Sequence, residues 1–363
     1  MHSFSRLLVG LTFLLLLAAA APLTAQSGPT VTVTDALGRE VTVPRNPERV
    51  TAAGRAVLMI ADAVYLFPTA RESLTAVTRI DQGKGNFLRD LDPNYRDKQI
   101  LERNAGPEQI AASRPDVVLL KDFMKGSIGD AVASLGIPVV YLRLETPEDY
   151  RRDIRTLGRI FAAEDRADEV LEYFDDRLRL VRDRTEGLAP AERPSALFVY
   201  YSRRGNESAV NVPPPGWIQT SLLETAGADP VWTDAVSGGG WQTVNLEQIL
   251  SWDPSKLFVV SYRQDIDTVM ERIRGDARWR SLEAVSSDGL HAFPVDYYSW
   301  DQPDVRWILG LQWLAGTLHP ELFPDVQMRE LTIDFFGRMY GMTAAEVERI
   351  VFSKMQGDFE PAP

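Results

Sequence analysis

The sequence predicts an α/β fold of two similar lobes, each built on a parallel-rich sheet, joined by a long rigid helix with a cleft between the lobes. Three observations carry this. After residue 47, strand-like and helix-like stretches alternate, the pattern of parallel sheets covered by helices. Between Pro147 and Glu186 the alternation stops, and apolar residues recur at helical spacing in a stretch whose only glycine is Gly158. Finally, Glu108, Gln109, Ile110 and Pro115 return as Glu247, Gln248, Ile249 and Pro254, each 139 residues later. A chain of 363 residues is long enough for two lobes rather than one small core.

Residues 1–25 hold a single charge, Arg6, followed by an apolar run from Leu7 to Ala21. The run is short for a membrane span and is followed by small residues, so it reads as a secretory signal peptide cleaved after Ala25. An uncleaved N-terminal anchor is the alternative. The first lobe is expected over 26–146. Its elements are a short strand at Val50–Ala53, a buried helix over 55–67 and a strand at Leu74–Thr78. A helix starts near Gly106, a strand follows at Val117–Leu120, then a helix near 126–135 and a strand at Pro138–Leu142.

The connector is expected over 147–189. Ile154, Leu157, Ile160 and Phe161, then Val170, Leu171, Phe174, Leu178 and Val181, fall on one helical face. A break is expected near Ala163–Asp165, and the segment Gly187–Pro194 ends the helix. The second lobe, 190–363, begins with a strand at Ala196–Tyr201. A helix over Gly216–Ala226 stops at Gly227, a residue suited to the left-handed C-terminal position. A helix near Leu246, a strand at Leu257–Ser261, a helix over 265–274 and a strand over 290–293 follow. In both halves an acidic residue sits in the first turn of a helix, where the macrodipole favours it. A proline then leads into an apolar strand.

Composition narrows the function. The chain has no Cys, so disulfides, zinc thiolates, iron–sulfur clusters and a cysteine nucleophile are excluded. The absence of Cys also leaves no residue for bacterial lipid attachment, so the secreted chain is expected free in the periplasm. A net charge of −12 disfavours nucleic acid as a partner. No second long apolar run follows residue 25, so no direct membrane insertion is expected. His291 and His319 share no metal-ligand spacing, and no metal site is expected.

The opening Val33-Thr34-Asp35-Ala36-Leu37-Gly38-Arg39, with Val41-Thr42-Val43-Pro44 and Pro47-Glu48-Arg49-Val50, resembles an entry hairpin leading to a first sheet strand. The segments Arg114-Pro115-Asp116-Val117-Val118 and Leu222-Leu223-Glu224-Thr225-Ala226-Gly227-Ala228 follow in order. Together they resemble the periplasmic solute-binding proteins of ABC importers, in the subgroup with a rigid helical linker. The resemblance covers nearly all of the chain after residue 25. It implies capture of a ferric siderophore, cobalamin, haem, metal ion or oxyanion in the inter-lobe cleft, with delivery to a permease. It implies no catalysis and no resident cofactor, and a monomer suffices. It also implies that Glu108 and Glu247, one carboxylate per lobe, dock on permease arginines. Simple stabilisation of the two helix N-termini is the alternative reading of the same pair.

In such a fold, ligand-lining residues come from loops after strands. The expected set is Arg55, Lys84, Tyr201, Arg203, Arg204, Trp241, Arg263, Tyr297, Tyr298 and Trp300. Lys121, Tyr200 and Asp296 are further candidates. By resemblance to the cobalamin-binding member, Tyr201 and Trp241 fall on aromatic pocket positions. That member's last pocket loop has an arginine where Trp300 stands here, which weakens a cobalamin assignment. Aromatic walls with a few arginines suit a partly planar anion such as an iron chelate, and a molybdate-like oxyanion is the alternative. Arg203 and Arg204 read equally as a solvated turn before Gly205-Asn206. Tyr297 and Tyr298 cannot both face the cleft if their segment is extended. A secreted hydrolase is the rival from another class, but the chain has no Gly-x-Ser-x-Gly elbow and no His-Glu-x-x-His pair.

Overall fold

The computed structural model describes residues 28–80, 84–204 and 207–360, with the side chains of Arg204 and Glu207 left aside. The signal-peptide expectation for residues 1–25 lies outside the described residues. An antiparallel hairpin comes first, β1 (Thr30–Thr34) and β2 (Glu40–Pro44), in register from Thr30 opposite Pro44. Its turn is fixed by the Asp35 carboxylate, which accepts from the Leu37 and Arg39 amides at 2.9 and 3.1 Å.

The first lobe is a five-stranded parallel sheet in the order β5-β4-β3-β6-β7. Its strands are β3 (Val50–Ala52), β4 (Leu74–Thr78), β5 (Gln99–Leu101), β6 (Val117–Lys121) and β7 (Val139–Leu142). β6 is buried at every position, as expected of a central parallel strand covered on both faces. The helix Val57–Tyr65 follows β3 and is buried at eight of its nine residues, so its near-continuous apolar run is core.

The connector is two helices, Pro147–Ile160 and Glu164–Thr185. Thr146 caps the first by accepting from the Asp149 amide at 3.1 Å, and Pro147 occupies the first turn, where its missing N–H costs nothing. The corner falls at Phe161–Ala163, with Ala162 in the left-handed region. The two helices close tightly there because position 158 has no side chain. A Cβ on Gly158 would lie 2.6 Å from the Ala167 Cβ.

The second sheet runs β11-β9-β8-β12-β13, with the short β10 also on β8. Its strands are β8 (Ser195–Arg204), β9 (Glu207–Val212), β10 (Asp229–Pro230), β11 (Gln242–Val244), β12 (Lys256–Val260) and β13 (Leu290–Ala292). The internal repeat extends further than the four matched residues. β6 and β12 span residues 117–121 and 256–260, again offset by 139. Gln109 and Gln248 each reach back to the amide preceding their helix, at 2.9 and 3.0 Å. Arg114 and Asp253, one residue before the matched prolines, both have positive φ. The halves diverge at β9, which returns antiparallel to β8 in place of a parallel strand. The reason is that β8 runs ten residues into a hairpin instead of turning into a helix.

The last helices tie the lobes together. Trp307–Leu318 is buried throughout and sets Trp307 against Phe174 of the connector at 5.3 Å between ring centroids. Met328–Tyr340 brings Phe336 and Tyr340 to 5.4 and 5.0 Å from Phe87 of the first lobe. Arg71 donates to the Tyr340 carbonyl at 2.9 Å.

Candidate ligand-binding cleft

The carboxyl ends of β3, β4 and β5 in one lobe and of β12 in the other meet at a common cleft, the usual ligand position in α/β sheets. A cavity of about 400 Å³ lies there. Its first-lobe wall is the turn Gly54–Leu58 after β3, with Arg79 after β4 and Arg103 after β5. Gly54 and Ala56 both have positive φ, and this coiled turn leaves Arg55 between them exposed to the cleft. A Cβ on Gly54 would meet only the flexible Met124 Cε, at 3.0 Å, so it is the positive φ that favours glycine in this turn.

The second-lobe wall is aromatic. Tyr200 and Tyr262 lie 4.7 Å apart, Tyr200 and Trp241 5.3 Å, and Trp217 meets Trp241 edge-on at 5.6 Å. Arg263 projects beside Tyr262. Four arginines therefore converge on one cavity of an acidic protein. Arg79 is matched by Glu102 at 2.9 Å. Among the described residues, Arg55, Arg103 and Arg263 have no carboxylate within 4.0 Å. Guanidinium groups stay charged at all accessible pH and take oxygens two at a time, so this cavity has the chemistry of an anion site.

Tyr262 is held from behind. Its hydroxyl donates to Asp301 at 2.6 Å, and Gln219 donates to the same carboxylate oxygen at 3.1 Å. Asp301 is fully buried, and burial pushes its carboxyl up to about 6 from the ordinary 3.8. Its fold-linked stability is therefore present below about pH 4 and lost as pH rises through about 6. Two pKa units correspond to roughly 2–3 kcal/mol. We expect Asp301→Asn to gain stability relative to the parent at pH 7 and to lose that advantage at pH 4. Urea unfolding at the two pH values checks it, and an equal difference at both would refute it.

A second cavity, of about 480 Å³, shares Ala56, Trp241 and Tyr262 with the first. Met59, Phe123, Trp217 and Pro303 give it an apolar lining. Its charged groups are matched pairwise. Asp122 holds Arg143 at 2.6 Å, and Glu145 holds the buried Lys121 at 3.0 Å. Lys121 also donates to the Arg143 carbonyl. Burial pushes the Glu145 carboxyl up, against the pull of Lys121. A third cavity, of about 250 Å³, lies beyond Tyr262 and Arg263 and includes Lys84, 4.0 Å from the Asp265 carboxylate.

The structure brings Arg55, Trp241 and Arg263 into the first cavity, with Lys84 in the adjoining third. It does not bring Tyr201, Tyr297, Tyr298 or Trp300 there. Side chains alternate along β8, so Tyr200 faces the cleft while Tyr201 is buried and donates to Ser208 at 2.7 Å. Tyr297 and Tyr298 point to the first lobe instead. Tyr297 donates to Asp90 at 2.6 Å, and the Tyr298 hydroxyl accepts from the Phe87 amide at 3.4 Å. Both face one way because the segment is not extended. The Asp296 carboxylate accepts from the Tyr298 amide at 2.9 Å and coils it into a turn. Trp300 is fully buried against Phe359. Arg203 is exposed at the end of β8 opposite Ser208, and Arg204 is paired in register with Glu207 at the end of that hairpin. Glu108 and Glu247 are exposed in the first turns of the helices Pro107–Ala112 and Leu246–Trp252.

Sequence reasoning missed Arg79, Arg103, Phe123, Trp217 and Tyr262. Arg79 stands one residue after β4 and Tyr262 two after β12, so position after a parallel strand was the available signal. Arg103 follows β5, where only Leu101 is buried, so no apolar run marks the strand.

Beneath the cleft, a charged cluster is sealed between the lobes. Arg306 is fully buried and holds Asp62 of the first lobe at 2.5 Å and Asp296 at 2.9 Å. Asp304 accepts from the Arg306 amide at 2.7 Å. The guanidinium also lies over the rings of Phe87 and Tyr298, at 4.6 and 5.0 Å. Three carboxylates share one cation, so burial holds the Asp62 and Asp304 carboxyls above the usual range, Asp62 at about 6.

The periplasmic binding protein family model matches residues 82–292. The molybdate-binding protein MolA of Haemophilus influenzae is 24% identical over 338 residues, covering 85% of this chain and 90% of its own. Its molybdate-bound crystal structure superposes with a TM-score of 0.67 at 21% identity, over 86% of this chain and 98% of that one. A solute-binding protein of an ABC transporter from Sulfurospirillum deleyianum gives a TM-score of 0.72 at 20% identity, covering 88% and 98%. A periplasmic solute-binding protein from Veillonella parvula gives 0.70 at 21%, covering 89% and 97%.

Proposed function

The chain belongs to the periplasmic binding protein family of ABC transporters, and from that premise we propose that its cargo is an anionic metal chelate, foremost an iron chelate of the ferric siderophore class. The observation that carries this reading is the group of three arginines, Arg55, Arg103 and Arg263, without a carboxylate within 4.0 Å among the described residues, facing an aromatic wall of Tyr200, Trp241 and Tyr262. A polyanion satisfies the guanidinium groups, and the rings supply contact area at little entropic cost. The adjoining cavities favour a ligand larger than a single oxyanion. Export by a cleaved signal peptide, without lipid attachment, is part of the same reading. Among the described residues, no helix is long and apolar enough to cross a membrane.

A molybdate-like oxyanion is the second reading, favoured by the relative named for molybdate binding. Titration with ferric catecholate and carboxylate chelates, haem, cobalamin, molybdate and tungstate separates the two, with Trp fluorescence and thermal shift as readouts. Saturable binding of an iron chelate at micromolar or tighter affinity is expected. Binding confined to the oxyanions would transfer the assignment to the second reading.

Glu108 and Glu247 are proposed to dock the permease. Their support is the matched pair of helix starts, one per lobe, each with its carboxylate exposed. Reversing both to Lys is expected to abolish transport in reconstituted vesicles while ligand affinity stays within twofold. A matching loss of ligand affinity would contradict the docking role.

A further inference from the structure

Resting on the anion reading of the first cavity, we propose that the cleft is a two-chambered site for an amphipathic ligand. The arginine-lined chamber takes the anionic end, and the chamber behind Phe123 takes an uncharged aromatic or acyl body. Trp241 and Tyr262 line both chambers and form the waist between them.

Two observations point to the second chamber's occupant. First, its charges cancel internally. Asp122 is matched to Arg143 at 2.6 Å and Glu145 to Lys121 at 3.0 Å, so little unbalanced charge remains to attract or repel an ion. The contrast with Arg55, Arg103 and Arg263 one chamber away is a division of labour by charge. Second, Phe123 stands at this chamber 51% exposed, the highest value among the described large hydrophobic residues. Across the chamber lie Trp217 and Pro303 of the other lobe, with Met59 on the floor. Phe123 from one lobe and the half-buried Trp217 from the other keep apolar surface accessible, and such surfaces gain by closing on an apolar body. A bare tetrahedral oxyanion would leave this chamber and Phe123 in water.

The test uses the whole secreted protein and 8-anilinonaphthalene-1-sulfonate, a probe with an anionic end and an aromatic body. Saturable one-to-one binding is expected by fluorescence. Phe123→Ser is expected to weaken it at least tenfold, and Phe123→Trp to restore it to within about twofold of the parent. Phe123 is exposed, so the substitution should leave the fold intact. Because Arg55 lies over the Phe123 ring at 5.6 Å, a second variant separates the two effects. Met59→Gln is expected to weaken the probe as well. If Met59→Gln leaves the affinity unchanged while Phe123→Ser lowers it, the effect runs through Arg55 and the second chamber is refuted. Absence of one-to-one binding, or an unchanged affinity in Phe123→Ser, also refutes it. Arg103→Ala reports on the first chamber alone. An affinity untouched by Arg103→Ala but lowered by Phe123→Ser and Met59→Gln would remove the anion reading and keep the apolar chamber.

Discussion

Arg306→Met should lower the unfolding free energy by about 3–5 kcal/mol at pH 7, the usual loss when one partner of a buried ion pair is removed. The guanidinium is the only cation among its contacts with Asp62, Asp296 and Asp304, and all four groups are fully buried. Methionine fills comparable volume, so the loss reports on charge rather than on a void. The sign with pH is fixed by the carboxyls. Burial already raises Asp62 and Asp304 above the ordinary range with Arg306 present, and removing the cation raises them further. A raised carboxyl pKa contributes stability below the unfolded value that is lost as pH rises through the folded one. The variant should therefore recover part of its loss when pH falls from 7 to 5. Urea unfolding at both pH values provides the measurement, and a variant within 1 kcal/mol of the parent at pH 7 would show that the cluster contributes little. Asp62→Asn is the companion. It removes one of three carboxylates competing for a single cation, so its cost should be far smaller.

The second large effect is on binding. Arg103→Ala and Arg263→Ala should each weaken the tightest ligand of the panel by about 10- to 150-fold, from roughly 1.5–3 kcal/mol per charge-assisted hydrogen bond. Both side chains are exposed and lack a carboxylate partner among the described residues, so thermal stability without ligand should change little. Arg79→Ala provides the internal comparison. Its guanidinium is already matched by Glu102 at 2.9 Å, so it should cost less affinity than either of the others. Isothermal titration at two salt concentrations completes the test, because an arginine-held anion weakens as salt rises. Equal losses in all three variants, or none in Arg103→Ala and Arg263→Ala, would refute the anion site.

Much of the fold was legible because its signals are local. Leu74–Thr78 is a strand at the bounds its apolar run indicates, and the connector breaks at Phe161–Ala163, two residues ahead of the Ala163–Asp165 the sequence points to. Gly158 was visible as the one glycine between Pro147 and Glu186, but its reason was not. Only the packed corner shows that Ala167 leaves no room for a side chain. The cleft was legible in kind and incomplete in detail. Arg55 and Arg263 follow buried apolar strands that can be read directly, whereas Arg103 follows β5, whose first two residues, Gln99 and Ile100, are exposed and give no buried apolar run. The aromatic pair Tyr200-Tyr201 was visible, but which ring faces the cleft depends on the pleat of β8, a phase that one residue's shift reverses.

The alternation of elements, a long helical connector and the duplicated helix-proline-strand unit are written in the chain itself, whereas the division of the connector into two packed helices is seen only in the structure. The first three depend on periodicity, proline and glycine, which act on neighbouring residues. The tertiary structure decided which side chains share a space. Asp62 and Arg306 are 244 residues apart and meet only because the final helices fold back across the seam. Tyr297 and Tyr298 went to that seam because a turn at Asp296 and the burial of their rings against the first lobe outweighed the extended course that would open them to the cleft, while Trp300 is buried within its own lobe against Phe359. Burial and pairing energies belong to the assembled partners, so no local pattern in the chain encodes them.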